Sequence, residues 1–338
     1  MVVRTNLSIG QTMTESRFFV MPYDANPIGR LHGGRLMDWT ITTAALCCVR
    51  FSRGDVVLAA LDDLFFLSPA SVGDMVVVKA WVEYAGRSSM EVGISAYTHP
   101  HLVGEPVLTT TSHMVFVAVD SAGRPRQLPY GIGPREEEET VYKVAEARML
   151  KRKAALTKRE VSSLDLSDYG PDARYRMKSS HLVTLEEARI GGIMSGGRLL
   201  HILDELASAL AAAYAKSLVV TASVDSTIFV HPIREGNIID IETVLTGVGR
   251  TSAEIAAKVV TENPASAVRR HAVTTYLTMV SVDASAEPVE MPPFVPANEG
   301  ERKRFEEFLE RRRERLKRME EVKTVEKLHQ GLVSGIDG

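Results

Sequence analysis

The feature that most restricts how this chain can fold is that it is written twice. Set against itself with Gly196 on Gly33 (196 − 33 = 163), the chain also brings Gly192 onto Gly29, Gly197 onto Gly34, Arg198 onto Arg35 and Leu199 onto Leu36. The same register pairs Asp62 with Asp225, Phe66 with Phe229, Pro69 with Pro232 and Gly73 with Gly236. It then aligns "GRSSMEV" (Gly86–Val92) with "GRTSAEI" (Gly249–Ile255), and Asp120 with Asp283. From Gly29 to at least Ser89 it holds without a gap, which chance does not produce.

Each copy reads as a short strand, a turn, a glycine pair that opens a helix, and then four strand-like runs. The helices are "GRLMDWTITTAALCCVRF" and "GRLLHILDELASALAAAYAK", with apolar residues at helical spacing. The runs after them are rich in β-branched residues and are separated by Pro/Gly turns such as "SPASVGD" and "HPIREGN". One helix followed by an antiparallel meander buries itself by wrapping the sheet around the helix. Two such units remove exposed edges by continuing one sheet into the other. The expected class is α+β. Residues 1–134 form one domain and 166–297 the other, joined by a helical linker over 135–165. A charged helix follows over 298–338, lying on its own domain or at a subunit contact.

Bulk properties exclude several functions. The 338 residues carry a net charge of −3 with acids interleaved among the bases, which gives no footing for nucleic acid. No apolar run is long enough to span a bilayer, and the first residues lack the pattern of a signal peptide. The two cysteines, Cys47 and Cys48, are adjacent on a helix and point apart. They read as thiols of a reducing, cytoplasmic protein. His113 and His271 occupy no common repeat position and suggest no metal cluster.

The order N-x-x-G-x-x-x-G-G, an acid pair seven residues on, "VTASVD" and then G-R-[ST]-S-x-E resembles the hotdog-fold acyl-CoA thioesterases. The fused pair is similar to the double-hotdog cytosolic acyl-CoA hydrolases. The resemblance covers both repeats. It implies two tandem hotdogs, each a long helix wrapped by an antiparallel sheet. It further implies hydrolysis of acyl-CoA to fatty acid and CoA, a homotrimer of double hotdogs, and neither metal nor redox cofactor.

In that family each site takes an Asn from one hotdog and an acid from the other. Copy one supplies Asn26, but Ile41 stands at its acid position; copy two supplies Asp204, but Arg189 stands at its Asn position. Only one of two pseudo-symmetric sites is then complete. Asp38 lies three residues too early in its helix and reads as a surface acid. Asp204 fits general base or nucleophile. Asn26 orients water or thioester, and the amides of Gly33 and Gly34 at a helix N-terminus suit an oxyanion. Thr221, where copy one has Leu58, fits a hydrogen bond to Asp204 or to water. His32 is placed to touch the thioester sulfur. Arg87 with Ser88, and Arg250 with Thr251, suit the anionic end of CoA. Each has a plainer reading: a turn Asn before Pro27, a helix-surface acid, a buried strand threonine, hairpin arginines, glycines serving only a tight turn and close contact. A hotdog hydratase or dehydratase would need an Asp–His pair, and no such pair is visible in the sequence. A sensor that binds acyl-CoA without cleaving it has no use for an acid two turns inside a helix.

Overall fold

The computed structural model describes residues 5–102, 104–159, 166, 169–170, 172–188 and 190–334. In chain order the first copy contains β1 (Thr5–Leu7), β2 (Thr14–Phe19), α1 (Gly33–Ser52), β3 (Val56–Leu61) and β4 (Leu64–Phe65). It continues with β5 (Met75–Ala85), β6 (Ser89–His99), β7 (Val107–Ala118), β8 (Tyr130–Ile132) and α2 (Glu139–Arg159). The second contains β9 (Arg176–Leu182), α3 (Gly196–Ala215), β10 (Leu218–Val224), β11 (Thr227–Ile228), β12 (Ile238–Val248), β13 (Ser252–Asn263), β14 (Val268–Val282) and α4 (Glu299–Ser334).

The repeat reaches down to backbone detail. Helices α1 and α3 end alike, in a left-handed residue that closes the last turn: Arg53 at φ 56° and Lys216 at φ 54°. Their inner faces carry Met37, Ile41, Ala44, Cys48 and Phe51, and Leu200, Leu203, Ala207 and Leu210, all buried at three- to four-residue spacing. Bulges interrupt β3 between Leu58 and Ala60, and β10 between Thr221 and Ser223.

Each copy builds a six-stranded antiparallel sheet, and each sheet borrows one strand. The orders are β11-β3-β7-β6-β5-β2 and β4-β10-β14-β13-β12-β9. Strand β4 of copy one thus pairs with β10 of copy two, and β11 of copy two with β3 of copy one. The bulged residues join this exchange. Phe66 N–H donates to Ala222 O, and Phe229 N–H to Ala59 O, both at 3.0 Å. One cluster of buried apolar side chains runs through both copies, from Met37 and Ile94 to Leu203 and Met279. The two units therefore share a core.

The connecting and terminal helices belong to the repeat as well, which the sequence register did not reach. Glu138 and Glu301 stand 163 residues apart, before α2 and at the start of α4 respectively. Glu138 accepts from the amides of Ile9 and Gly10, and Glu301 from Arg174 N–H and its guanidinium. Arg148 and Arg152 of α2 pair with buried Glu83 and Glu91, and Arg152 also with Asp62 at 2.6 Å. Their equivalents on α4, Arg311 and Arg315, hold Glu254, and Arg315 also holds Asp225 at 2.6 Å. The sequence suggested a linker helix and a charged helix on its own domain or at a subunit contact. Each helix is the last element of its own copy, latched onto that copy's sheet. Phe308 of α4 lies against Gly247, where the equivalent positions of copy one hold Ala145 and Tyr84.

Candidate active site

The N-terminal halves of α1 and α3 cross against each other, and the glycine pairs make room for it. A Cβ on Gly34 would lie 2.6 Å from His201 Cδ2 and 2.9 Å from its Cα. One on Gly197 would lie 2.9 Å from the Cα of Asp38, the equivalent contact. Close approach of the other copy's helix thus requires glycine at both places.

This crossing brings the copy-two acid to the copy-one helix end. Asp204 is fully buried. Its Oδ2 accepts from Gly34 N–H at 2.6 Å, and its Oδ1 from Thr221 Oγ1 at 2.7 Å. The carboxylate therefore sits at the positive end of α1. His32, which caps α1, has Nδ1 3.1 Å from Asp204 Oδ2 and 3.2 Å from Gly34 N. These contacts suit opposite ring states. A protonated Nδ1 donates to Asp204, and a neutral one accepts from Gly34. Burial works against charge on His32. The Asp204 hydrogen bond and the charges of Asp204 and Glu205 outweigh that, so its pKa stands above the usual 6.5. His201, 5.7 Å away between ring centroids, is pushed down to about 4 by burial and by Arg35, His32 and Arg198.

In front of this cluster lies a cavity of about 640 Å³. Copy one lines it with Asn26, Arg30, His32, Gly33 and Phe66, and copy two with Ser208, Ala212, Thr221 and Val280. Asp204 is behind the wall. A Cβ on Gly33 would meet Thr221 at 2.7 Å and come within 3.3 Å of Asp204 Oδ2, so only glycine leaves the acid within reach of the cavity. Asn26 is fixed by its own turn. Its Oδ1 accepts from Ile28 N–H at 3.2 Å and Arg30 N–H at 3.0 Å, and its N–H donates to Arg30 O at 2.7 Å. With Oδ1 held by two amides, the amide orientation is settled and Nδ2 is the end left for a ligand. Gly29, at φ 72°, completes that turn.

The family model of the thioesterase superfamily matches residues 28–105 and 191–268, two segments that start 163 residues apart. An acyl-CoA thioester hydrolase of Bacillus subtilis, YkhA, itself uncharacterised, is 36% identical over 134 residues, 40% of this chain and 78% of its own length. The chain belongs to the thioesterase superfamily. A cytosolic acyl coenzyme A thioester hydrolase of Mus musculus is 29% identical over 314 residues, 88% of this chain and 82% of its own. The human protein of the same description is 29% identical over 300 residues. A Staphylococcus aureus acyl-CoA hydrolase, solved with butyryl coenzyme A and coenzyme A, is 31% identical. It covers 47% of this chain and 94% of its own, with a TM-score of 0.42. The chain is accordingly an acyl-CoA thioester hydrolase built of two hotdog domains.

Within this thioesterase the other expected residues fall into two groups. Asn26, His32, Gly33, Gly34, Thr221 and Asp204 are brought together. The Gly34 amide, expected to face an oxyanion, is instead committed to Asp204. Arg87, Ser88, Arg250 and Thr251 do not line this cavity. Arg87 is exposed, and Arg250 pairs with Glu290 at 3.5 Å. Arg189 lies outside the described residues. Asp38 is half-buried against Gly197, not a surface acid. His113 faces Glu83 and His271 bonds Thr274; among the described residues no group of three His, Cys, Asp or Glu is placed to hold a metal. No described helix is long and apolar enough to cross a membrane.

The Asp–His pair that the sequence did not reveal is present, as Asp204 with His32. It escaped notice because its halves lie in different copies and meet only across the helix crossing. The one available signal was that His32, like Asp204, has no polar twin of its own kind: its equivalent is Ser195.

Proposed function

We propose that acyl-CoA is hydrolysed at one site per chain, between Asn26 of copy one and Asp204 of copy two. The observation that carries this is the Asp204 carboxylate held on the α1 N-terminus directly behind Gly33, at the wall of the larger cavity. The thioester lies over Gly33, with its carbonyl oxygen taking a hydrogen bond from Asn26 Nδ2 and from the Gly33 amide. Both oxygens of Asp204 are already held, by Gly34 and His32 on one side and Thr221 on the other. A carboxylate so restrained acts through a water rather than by attacking carbon itself. It takes the water's proton as the oxygen adds to the carbonyl, and the C–S bond then breaks.

The equivalent cavity, about 240 Å³, is lined by Ile41, Leu58, Phe116, Gly196 and Phe229. Ile41 cannot accept a proton and Leu58 cannot orient a base, so this site is silent. The chains assemble as a trimer of double hotdogs. Support comes from apolar side chains exposed at equivalent sheet edges, Phe19 on β2 and Leu182 on β9.

The test is release of free thiol from a panel of acyl-CoAs. Asp204→Asn and Asn26→Ala abolish it, while Asp38→Asn keeps it. Equal loss from all three overturns the asymmetric site. Single turnover in ¹⁸O-water checks the route: label entering the protein carboxylate would show attack by Asp204 itself.

A further inference from the structure

We propose that His32 is the acid that protonates the departing CoA thiolate. This rests on the reading of Asp204 as the base.

Of the two paired groups, only His32 lines the cavity. Its side chain keeps about a quarter of its surface open, whereas Asp204 keeps none. With Nδ1 turned to Asp204, the opposite edge of the ring is the part presented to a bound thioester. The second argument is joint loss. In the pseudo-equivalent site the imidazole position is Ser195 and the carboxylate position Ile41, so both halves of the pair are missing together. Seryl oxygen would serve as a helix cap equally well. A histidine retained only beside the retained acid answers to the acid, not to the cap. Third, the surrounding charges favour a proton on this ring. Asp204 and Glu205 face it from α3, Arg35 opposes them from α1, and His201 and Arg198 stand alongside. His201 is neutral near pH 7 because its pKa lies near 4, so it does not repel an imidazolium.

The step balances. Asp204 removes one proton from water as the C–O bond forms. The C–S bond breaks with its electron pair on sulfur, and the imidazolium of His32 delivers a proton to that thiolate. Products then leave with Asp204 protonated and His32 neutral, and return of that proton to the imidazole restores both.

The test compares two leaving groups. His32→Asn keeps a side-chain acceptor for the α1 cap but carries no proton. On butyryl-CoA, kcat/KM falls about 100-fold, the usual contribution of a general acid. On the S-aryl butyrate, whose acidic thiol departs unaided, the loss is less than about tenfold. Asp204→Asn removes turnover of both. In the native protein kcat for the CoA ester falls as pH rises through the raised His32 pKa, because the imidazolium is the active form; His32→Asn lacks that descending limb. Equal losses on both esters, or an unchanged alkaline limb, overturn the role of His32 while leaving Asp204 in place. Full activity in Asp204→Asn would instead overturn the reading beneath it. A circular-dichroism melt unchanged from the native protein separates these results from misfolding.

Discussion

Two cavities of one chain occupy the same frame, yet one encloses about 640 Å³ and the other about 240 Å³. At equivalent positions the larger has Thr221, Ser208 and, behind its wall, Asp204; the smaller has Leu58, Ala45 and Ile41. Both keep their glycine pairs. Gly33 and Gly34 face Thr221 and His201, while Gly196 and Gly197 face Leu58 and Asp38. The glycines survive where no polar chemistry does, because two helices still cross there. What persists in both copies reports on the fold, and what differs reports on the reaction.

The sharpest way to break this comparison is at the acid. Asp204→Asn lowers kcat by at least about 1,000-fold, whereas Ile41→Asn at the equivalent position changes kcat less than twofold. Steady-state hydrolysis of butyryl-CoA measures both. A smaller asymmetry is expected at the glycines. Gly33→Ala drives a methyl into Thr221 and costs about 100-fold in kcat/KM. Gly196→Ala meets the flexible end of Leu58, so it lowers stability by about 1 kcal/mol and leaves kcat alone. Next in size is Thr221→Val, which releases Asp204 Oδ1 and costs about tenfold, against no change for Leu58→Thr.

The latching helices give a stability comparison. Arg315→Met takes the guanidinium from buried Asp225, leaves Glu254 to Arg311, and costs about 3 kcal/mol, read as a fall in the urea midpoint. Arg152→Met costs less, because Asp62 is partly open to water. The smallest effect is assigned to the hairpin arginines. Arg87→Ala and Arg250→Ala raise KM for acyl-CoA by about threefold at low salt, and less at high salt. A KM independent of ionic strength would remove these residues from CoA recognition.

Much of this was legible in the sequence. The duplication shows in matched glycines and prolines, because turns and close contacts constrain single positions tightly. The missing partners, Ile41 for an acid and Arg189 for an amide, were legible because each copy supplies the control for the other. The helices α2 and α4 were not recognised as equivalents. Their register is carried by Glu138/Glu301, Arg148/Arg311 and Arg152/Arg315, charged residues inside two highly charged helices, where identities look accidental until the buried partners are seen. The arginines at 87 and 250 line neither cavity, and a basic residue in a hairpin has no direction until the hairpin is placed.

By itself the sequence determined that one unit occurs twice, that each is a helix with an antiparallel sheet, and which polar side chains each copy had kept. The tertiary structure decided how they meet. It committed the Gly34 amide to Asp204 rather than to substrate, and put His32 against Asp204. Such pairings join residues of different copies through a helix crossing and exchanged strands. A linear pattern reports spacing within an element, and no spacing along the chain encodes which of two nearly identical surfaces will face the other.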